Sequence, residues 1–175
     1  MTLTQLDWLF AVGVLAHNVE EAFLLPAWSS YATGRWQAAP VESDVFRFAV
    51  AVLTALVFIA AWLASVGGPG SFGSYFITGY ALAMVLNVIF PHLIATIMLR
   101  GYAPGTTTAL LLNLPLGGWL VYRSLAESYV NPTVFAVSAP LIVLGLLASI
   151  PLLFAIGRRL IHYSREYEVR RKNLS

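Results

Sequence analysis

Five stretches of the chain are almost continuously apolar, and short segments rich in glycine, proline and charge separate them. A helix rising 1.5 Å per residue needs about 20 apolar residues to cross the hydrocarbon of a bilayer. The stretches run from Leu6 to Leu25, Val45 to Val66, Tyr75 to Leu99, Thr106 to Val121 and Thr133 to Ile156. Local signals mark their ends. Thr4 and Asp7 have the spacing of a capping box at the start of the first, and Pro26 follows its end. Ser43 or Asp44 is placed to cap the second. Gly67-Gly68-Pro69-Gly70 forces a turn before the third, and Gly101-Tyr102-Ala103-Pro104-Gly105 makes the tight connection to the fourth. Asn131 is placed to cap the fifth, with Pro132 at its first helical position. The pattern predicts an all-α, polytopic integral membrane bundle of five transmembrane helices over residues 1–157, followed by a basic tail, 158–175. The connection from Ala27 to Asp44 is the longest and has room for a short interfacial helix or a lid.

Composition agrees with lipid as the solvent. Of 175 residues, 59% are hydrophobic and 10% charged, against about 25% charged in soluble domains. The mean hydropathy is +0.78. The chain has no cysteine, which excludes disulfides, thiolate metal sites and cysteine nucleophiles. No Lys or Arg precedes Arg35. The first apolar stretch therefore lacks the basic start of a signal peptide and is expected to stay in the mature protein.

The cations give an orientation. Arg158, Arg159, Arg165, Arg170, Arg171 and Lys172 crowd the tail, so the tail is expected to be cytoplasmic and the N-terminus outside. Arg35, Arg47 and Arg100 then share the tail's side, and only Arg123 lies outside. Trp28, Tyr31 and Trp36 suit an aromatic belt at the inner interface, or simple loop anchors. The expectation is a multi-pass protein of a bacterial inner membrane, in contact with membrane lipid and a lipid-soluble small molecule and not with nucleic acid.

Polar residues break this picture at particular points. The first stretch contains His17-Asn18-Val19-Glu20-Glu21. His17 and Glu21 are spaced i,i+4 and His17 and Glu20 i,i+3, so both carboxylates can meet the imidazole on one helix face. A charge at mid-membrane costs about 2.5–3.5 kcal/mol on insertion scales, so such groups need partners, a shared proton, a cation or water. The bland alternative is pairing with Arg47 or Arg100 at the interface. The third stretch contains Asn87-Val88-Ile89-Phe90-Pro91-His92. Pro91 has no N–H for the Asn87 carbonyl and should kink the helix there. Counted from the cytoplasmic helix ends, Glu21 lies about 8 Å deep, Glu20 about 9 Å, His17 about 14 Å, His92 about 12 Å and Asn113 about 10 Å. Three helices thus place polar groups in one layer. Asn87 lies deeper and about 140° around an ideal helix from His92, so both join one site only if the kink turns them together.

His17-x-x-Glu20-Glu21, with Asn87-x-x-x-Pro91-His92 and Tyr102-x-Pro104-Gly105, resembles the HXXEE-motif membrane-protein family. The resemblance implies a five-helix membrane architecture and a site at these residues, and it supplies no reaction.

Three chemistries fit. His17, Glu20, Glu21 and His92 are nitrogen and oxygen ligands suited to zinc, iron or manganese. The same four side chains could instead perform metal-free acid–base catalysis on an isoprenoid, sterol or acyl lipid. Asn87, Pro91, Asn113 and Arg100 would support either. A proton-coupled transporter or ion conductor is the reading from another class. Five spans without an inverted repeat leave it little room, although a homo-oligomer could supply a pathway. A non-catalytic structural or ligand-binding role is the remaining alternative.

Overall fold

The computed structural model of the chain describes residues 1–36 and 41–172, and these contain helices and turns without a strand. Five helices follow one another: α1 (Leu3–Trp36), α2 (Ser43–Gly67), α3 (Phe72–Leu99), α4 (106–126) and α5 (Pro132–Lys172). Four are long and apolar enough to cross a membrane, over Leu3–Ser30, Ser43–Gly67, Phe72–Leu99 and Pro132–Tyr163. The remaining predicted span, α4, is helical along its length in three pieces. Thr106–Thr108 leads into a π-helical turn, Ala109–Asn113, and then into Leu114–Ala126. α4 lies antiparallel to α1. Thr108 meets His17, Leu116 lies beside Gly13, and Arg123 donates to the Met1 carbonyl.

One apolar core joins all five helices. Leu6, Phe10 and Val14 of α1 pack with Val57 and Ala61 of α2, Ile77 and Ala81 of α3, Leu120 of α4 and Leu146 of α5. The α2–α3 turn brings backbones into contact: a Cβ on Gly73 would lie 2.3 Å from the main chain at Leu63 and Ala64, so only glycine fits there. Large apolar side chains such as Phe23, Trp62, Phe72, Val137 and Leu141 point outward, as expected where the surrounding solvent is lipid.

Several helix ends differ from the sequence expectation. The capping box of α1 is Thr2 with Gln5, not Thr4 with Asp7. The Gln5 N–H donates to the Thr2 hydroxyl at 3.1 Å, and the Thr2 N–H donates to Gln5 Oε1 at 2.9 Å. Asp7 lies a turn further in, fully buried, and its Oδ2 accepts from the Tyr129 hydroxyl at 2.9 Å. α2 is capped by neither Ser43 nor Asp44, which are already helical. Its N-cap is Glu42, which makes no side-chain capping bond and reaches instead toward Arg158 of α5, at 3.6 Å. The Asn131 cap is as expected: its Oδ1 accepts from the N–H groups of Thr133 and Val134.

Pro26 does not end α1. A proline leaves the carbonyl four residues back without its donor, and here that carbonyl, of Ala22, accepts from Arg47 Nε at 3.2 Å. A cation from α2 replaces the missing N–H, so the helix continues to Trp36 and the long predicted loop contracts. Trp28 is half-buried. The side chains of Tyr31 and Trp36, the other two of the proposed belt, lie outside the described residues.

α3 is interrupted as Pro91 predicts. The residue before a proline is driven out of the α region by its ring, and Phe90 is extended (φ −126°, ψ 120°). The Phe90–Pro91 peptide bond is cis. The helix resumes and ends at Leu99, with Arg100 in the left-handed region (φ 50°) and the Gly101 N–H donating back to the Thr96 carbonyl.

Candidate metal centre

The site forms where α1, the break in α3 and the start of α4 meet. The i,i+4 spacing sets His17 and Glu21 on one face of α1, with His17 Nε2 3.8 Å from Glu21 Oε2. The break in α3 turns His92 toward the same point, with its Nε2 3.4 Å from Glu21 Oε1. The two imidazoles stand edge to face, 4.8 Å between centroids at 90°. One ligand atom from each of His17, Glu21 and His92 lies within 4.8 Å of the others. Both histidines are buried and Glu21 is 13% exposed, so the carboxylate is the group reachable from outside.

Hydrogen bonds fix which nitrogen of each ring faces inward. His92 Nδ1 lies 3.1 Å from the Pro104 carbonyl. A carbonyl only accepts, so Nδ1 carries the hydrogen and Nε2 presents its lone pair. The Asn87 amide donates to that lone pair at 3.0 Å. On an ideal helix these two residues would diverge, and the break brings them together as the kinked arrangement requires. His17 Nδ1 lies 3.0 Å from the Thr108 hydroxyl, which is itself 2.6 Å from Glu20 Oε2. The one hydroxyl hydrogen goes to the carboxylate, so His17 Nδ1–H donates to Thr108 and its Nε2 carries a lone pair as well. Two lone pairs and a carboxylate therefore converge on one point.

Gly105 forms the wall behind them. It has φ +86°, and a Cβ there would lie 2.5 Å from His92 Cε1, 2.9 Å from His17 Cε1 and 3.0 Å from Glu21 Cγ. Only a residue without a side chain leaves the space open and adopts that backbone angle.

Glu20 does not join this group. Its Oε1 accepts from the Tyr102 hydroxyl and from the Gly105 N–H at 2.9 Å, and its Oε2 accepts from the Thr108 N–H at 3.3 Å and the Thr108 hydroxyl. These donors belong to the first turn of α4 and the loop before it. The first N–H groups of a helix have no internal partners and attract a carboxylate. Glu20 thus caps α4 from another helix and reaches His17 through Thr108, in place of the ligand role its sequence position suggests. Neither Arg47 nor Arg100 pairs with Glu20 or Glu21 among the described residues. Arg47 lies near Asp44 and bonds Ala22, and Arg100 terminates α3 on the exposed surface. Asn113 lies away from the triad, fully buried against Gly13.

The sequence names Gly105 only within a tight connection and a motif, with no role of its own, and gives Thr108 none, although the signal exists. Pro104-Gly105 followed by three threonines reads as a helix start, and an intramembrane helix start needs an anion.

The sequence comparisons place the chain in a family. Residues 8–120 match the family described as "Protein of unknown function with HXXEE motif". The "Uncharacterized protein YrkK" of Bacillus subtilis (strain 168) is 37% identical over 148 residues, which is 85% of this chain and 92% of that protein. No solved structure matches the chain. The matched region contains every residue of the triad and of the α4 start behind it, and the chain belongs to the HXXEE family.

Proposed function

We propose that the chain is a membrane-embedded enzyme that holds a divalent metal ion on His17 Nε2, Glu21 and His92 Nε2 and acts on a lipid-soluble substrate such as an isoprenoid, sterol or acyl lipid. The observation that carries this reading is that the Nε2 atoms of His17 and His92 converge with a carboxylate at a point kept open by Gly105. Electron-rich atoms that face one another are stabilised by a positive charge between them, which a metal ion or a proton held on Glu21 would supply. Ligands on a tetrahedral zinc stand about 3.3 Å apart for bonds near 2.0 Å; the carboxylate–imidazole separations are 3.4 and 3.8 Å to the two different oxygens of Glu21, and one atom from each residue lies within 4.8 Å of the others, so a small contraction would close the set on an ion. Nδ1–H bonds to a backbone carbonyl and a hydroxyl are the outer-shell contacts that orient metal-bound histidines. Two histidines and one carboxylate suit zinc, iron or manganese and leave a coordination position open. Such a position would receive water or a substrate oxygen. Phe23, Phe90 and Ile94, close in sequence to the ligands, present apolar surface outward, which supports delivery of substrate from the bilayer.

Elemental analysis of protein purified in detergent tests the reading. One metal ion per chain is expected, absent in His17→Ala, Glu21→Gln and His92→Ala. Metal-free wild type that stays metal-free after exposure to zinc, iron(II) and manganese would overturn it.

One contact favours a second reading. The Asn87 amide already donates to His92 Nε2, and a metal on that atom would displace it. In the metal-free alternative Glu21 exchanges a proton with a substrate and the imidazoles orient it. Tight co-purification of a lipid by metal-free protein would point there.

The topology belongs to the same proposal. α4 runs antiparallel along the apolar length of α1, which supports it as a fifth span, with the N-terminus outside and the basic end of α5 inside a bacterial cell membrane. The cysteine-free chain permits a direct test: a thiol at Thr2 should label from outside intact cells and one at Ser175 should not.

A further inference from the structure

Asn113 is fully buried, and neither its amide nitrogen nor its amide oxygen has a hydrogen-bond partner among the described residues. Amides at other helix contacts are satisfied: Asn18 donates to Thr54 at 2.7 Å and Asn87 to His92 at 3.0 Å. A buried amide with both ends unpaired is rare and calls for a ligand or water.

Its surroundings point the same way. Asn113 ends the π-helical turn of α4, in which the Leu114 N–H bonds back to Ala109, five residues earlier. On an ideal α-helix, positions five apart lie about 140° apart. A π turn winds more loosely and brings them closer in angle, so Asn113 is turned toward the face of Thr108, which holds His17. The same five-residue register is achieved in α3 by the break between Asn87 and His92. Opposite Asn113 on α1 is Gly13, where an added Cβ would lie 3.0 Å from Leu116 Cδ1, 3.6 Å from Leu112 Cβ and 4.0 Å from the amide oxygen. The amide thus faces apolar neighbours one turn deeper than the triad, and these offer it no hydrogen bond. π turns of this kind cluster at functional sites.

We propose that the unpaired Asn113 amide marks a buried subsite for a hydroxyl group, either that of water or that of a lipid alcohol. One O–H both accepts from the amide N–H and donates to the amide oxygen, which no purely apolar ligand does. The inference does not depend on a metal at the triad.

Magic-angle-spinning NMR on the full chain tests it. The protein is perdeuterated, back-exchanged at its N–H groups, labelled with 15N-asparagine and embedded in perdeuterated phosphatidylcholine vesicles, without or with protonated dodecanol. Asn113→Leu assigns the side-chain signal, and Asn18, buried but partnered, is the internal control. Rapid transfer from the water resonance to Asn113 Nδ2, and not to Asn18, identifies water. Transfer from alkyl protons only after dodecanol is added identifies the alcohol. If neither source reaches Asn113 faster than Asn18, the subsite does not exist.

Discussion

Glu20 and Glu21 are neighbours in the chain and serve different elements: Glu21 Oε1 lies 3.4 Å from His92 Nε2, while Glu20 Oε1 accepts from the Gly105 N–H at 2.9 Å. One helical step, about 100°, separates a carboxylate that faces the two imidazoles from the clamp that holds the wall behind them.

This division predicts opposite phenotypes for two conservative substitutions. Glu21→Gln should abolish metal binding and leave the thermal midpoint of metal-free protein nearly unchanged. Glu20→Gln places an amide N–H against donors, and leaving them unmatched costs about 1–3 kcal/mol. At about 2–4 °C per kcal/mol for a chain of this size, its midpoint should fall by several degrees. Metal titration and thermal unfolding of both variants in one detergent would separate the roles, and equal effects on both readouts would refute the division.

Gly105→Ala should be severe. The methyl would lie 2.5 Å from His92 Cε1 on a backbone with φ +86°, a conformation that costs a non-glycine residue about 1–2 kcal/mol. The expected result is loss of metal together with a lowered midpoint. Gly118→Ala is the matched control, because a Cβ there meets nothing within 4 Å. The two variants need only be compared by metal content and unfolding temperature, and indistinguishable results would count against the wall.

Arg47 and Pro26 should be coupled. Arg47→Leu orphans the Ala22 carbonyl, with an expected loss of about 1–3 kcal/mol. In Pro26→Ala the restored N–H takes that carbonyl, so Arg47→Leu should then cost little. A double-mutant cycle on unfolding free energies measures the difference, and additivity of the two changes would show that the guanidinium does not replace the missing donor.

Tyr129→Phe should also destabilise. It removes the one hydrogen bond to Asp7, whose Oδ1 already has no partner among the described residues. The cost of stranding a buried polar group is about 1–3 kcal/mol. Adding Asp7→Leu should recover part of it, since replacing both partners by apolar groups leaves nothing stranded. Unfolding of the single and double variants decides the matter.

The sequence made the helices and one layer of the site legible for a simple reason. Hydrophobic runs report solvent, and the intramembrane spacings of His17, Glu21 and His92 report which faces meet. The helix ends were less legible because they depend on partners distant in the chain. Pro26 reads locally as a stop, and it is overridden by a guanidinium from position 47. Thr4 and Asp7 have the spacing of a cap, yet Asp7 is claimed by Tyr129 from the turn between α4 and α5. Glu20 looks equivalent to Glu21 until the start of α4 takes both its oxygens. In each case a long-range bond decides between two locally sensible readings.

The continuity of α1 through Pro26 has a mechanical consequence. At 34 residues the helix is about 51 Å long, some 20 Å more than the hydrocarbon it crosses. The surplus extends past the turn that carries Glu20 and Glu21, and Arg47 supplies the donor that Pro26 lacks along the way. Because both glutamates stand on this one helix, a tilt of α1 would move the clamp on Gly105 and the Glu21 carboxylate together.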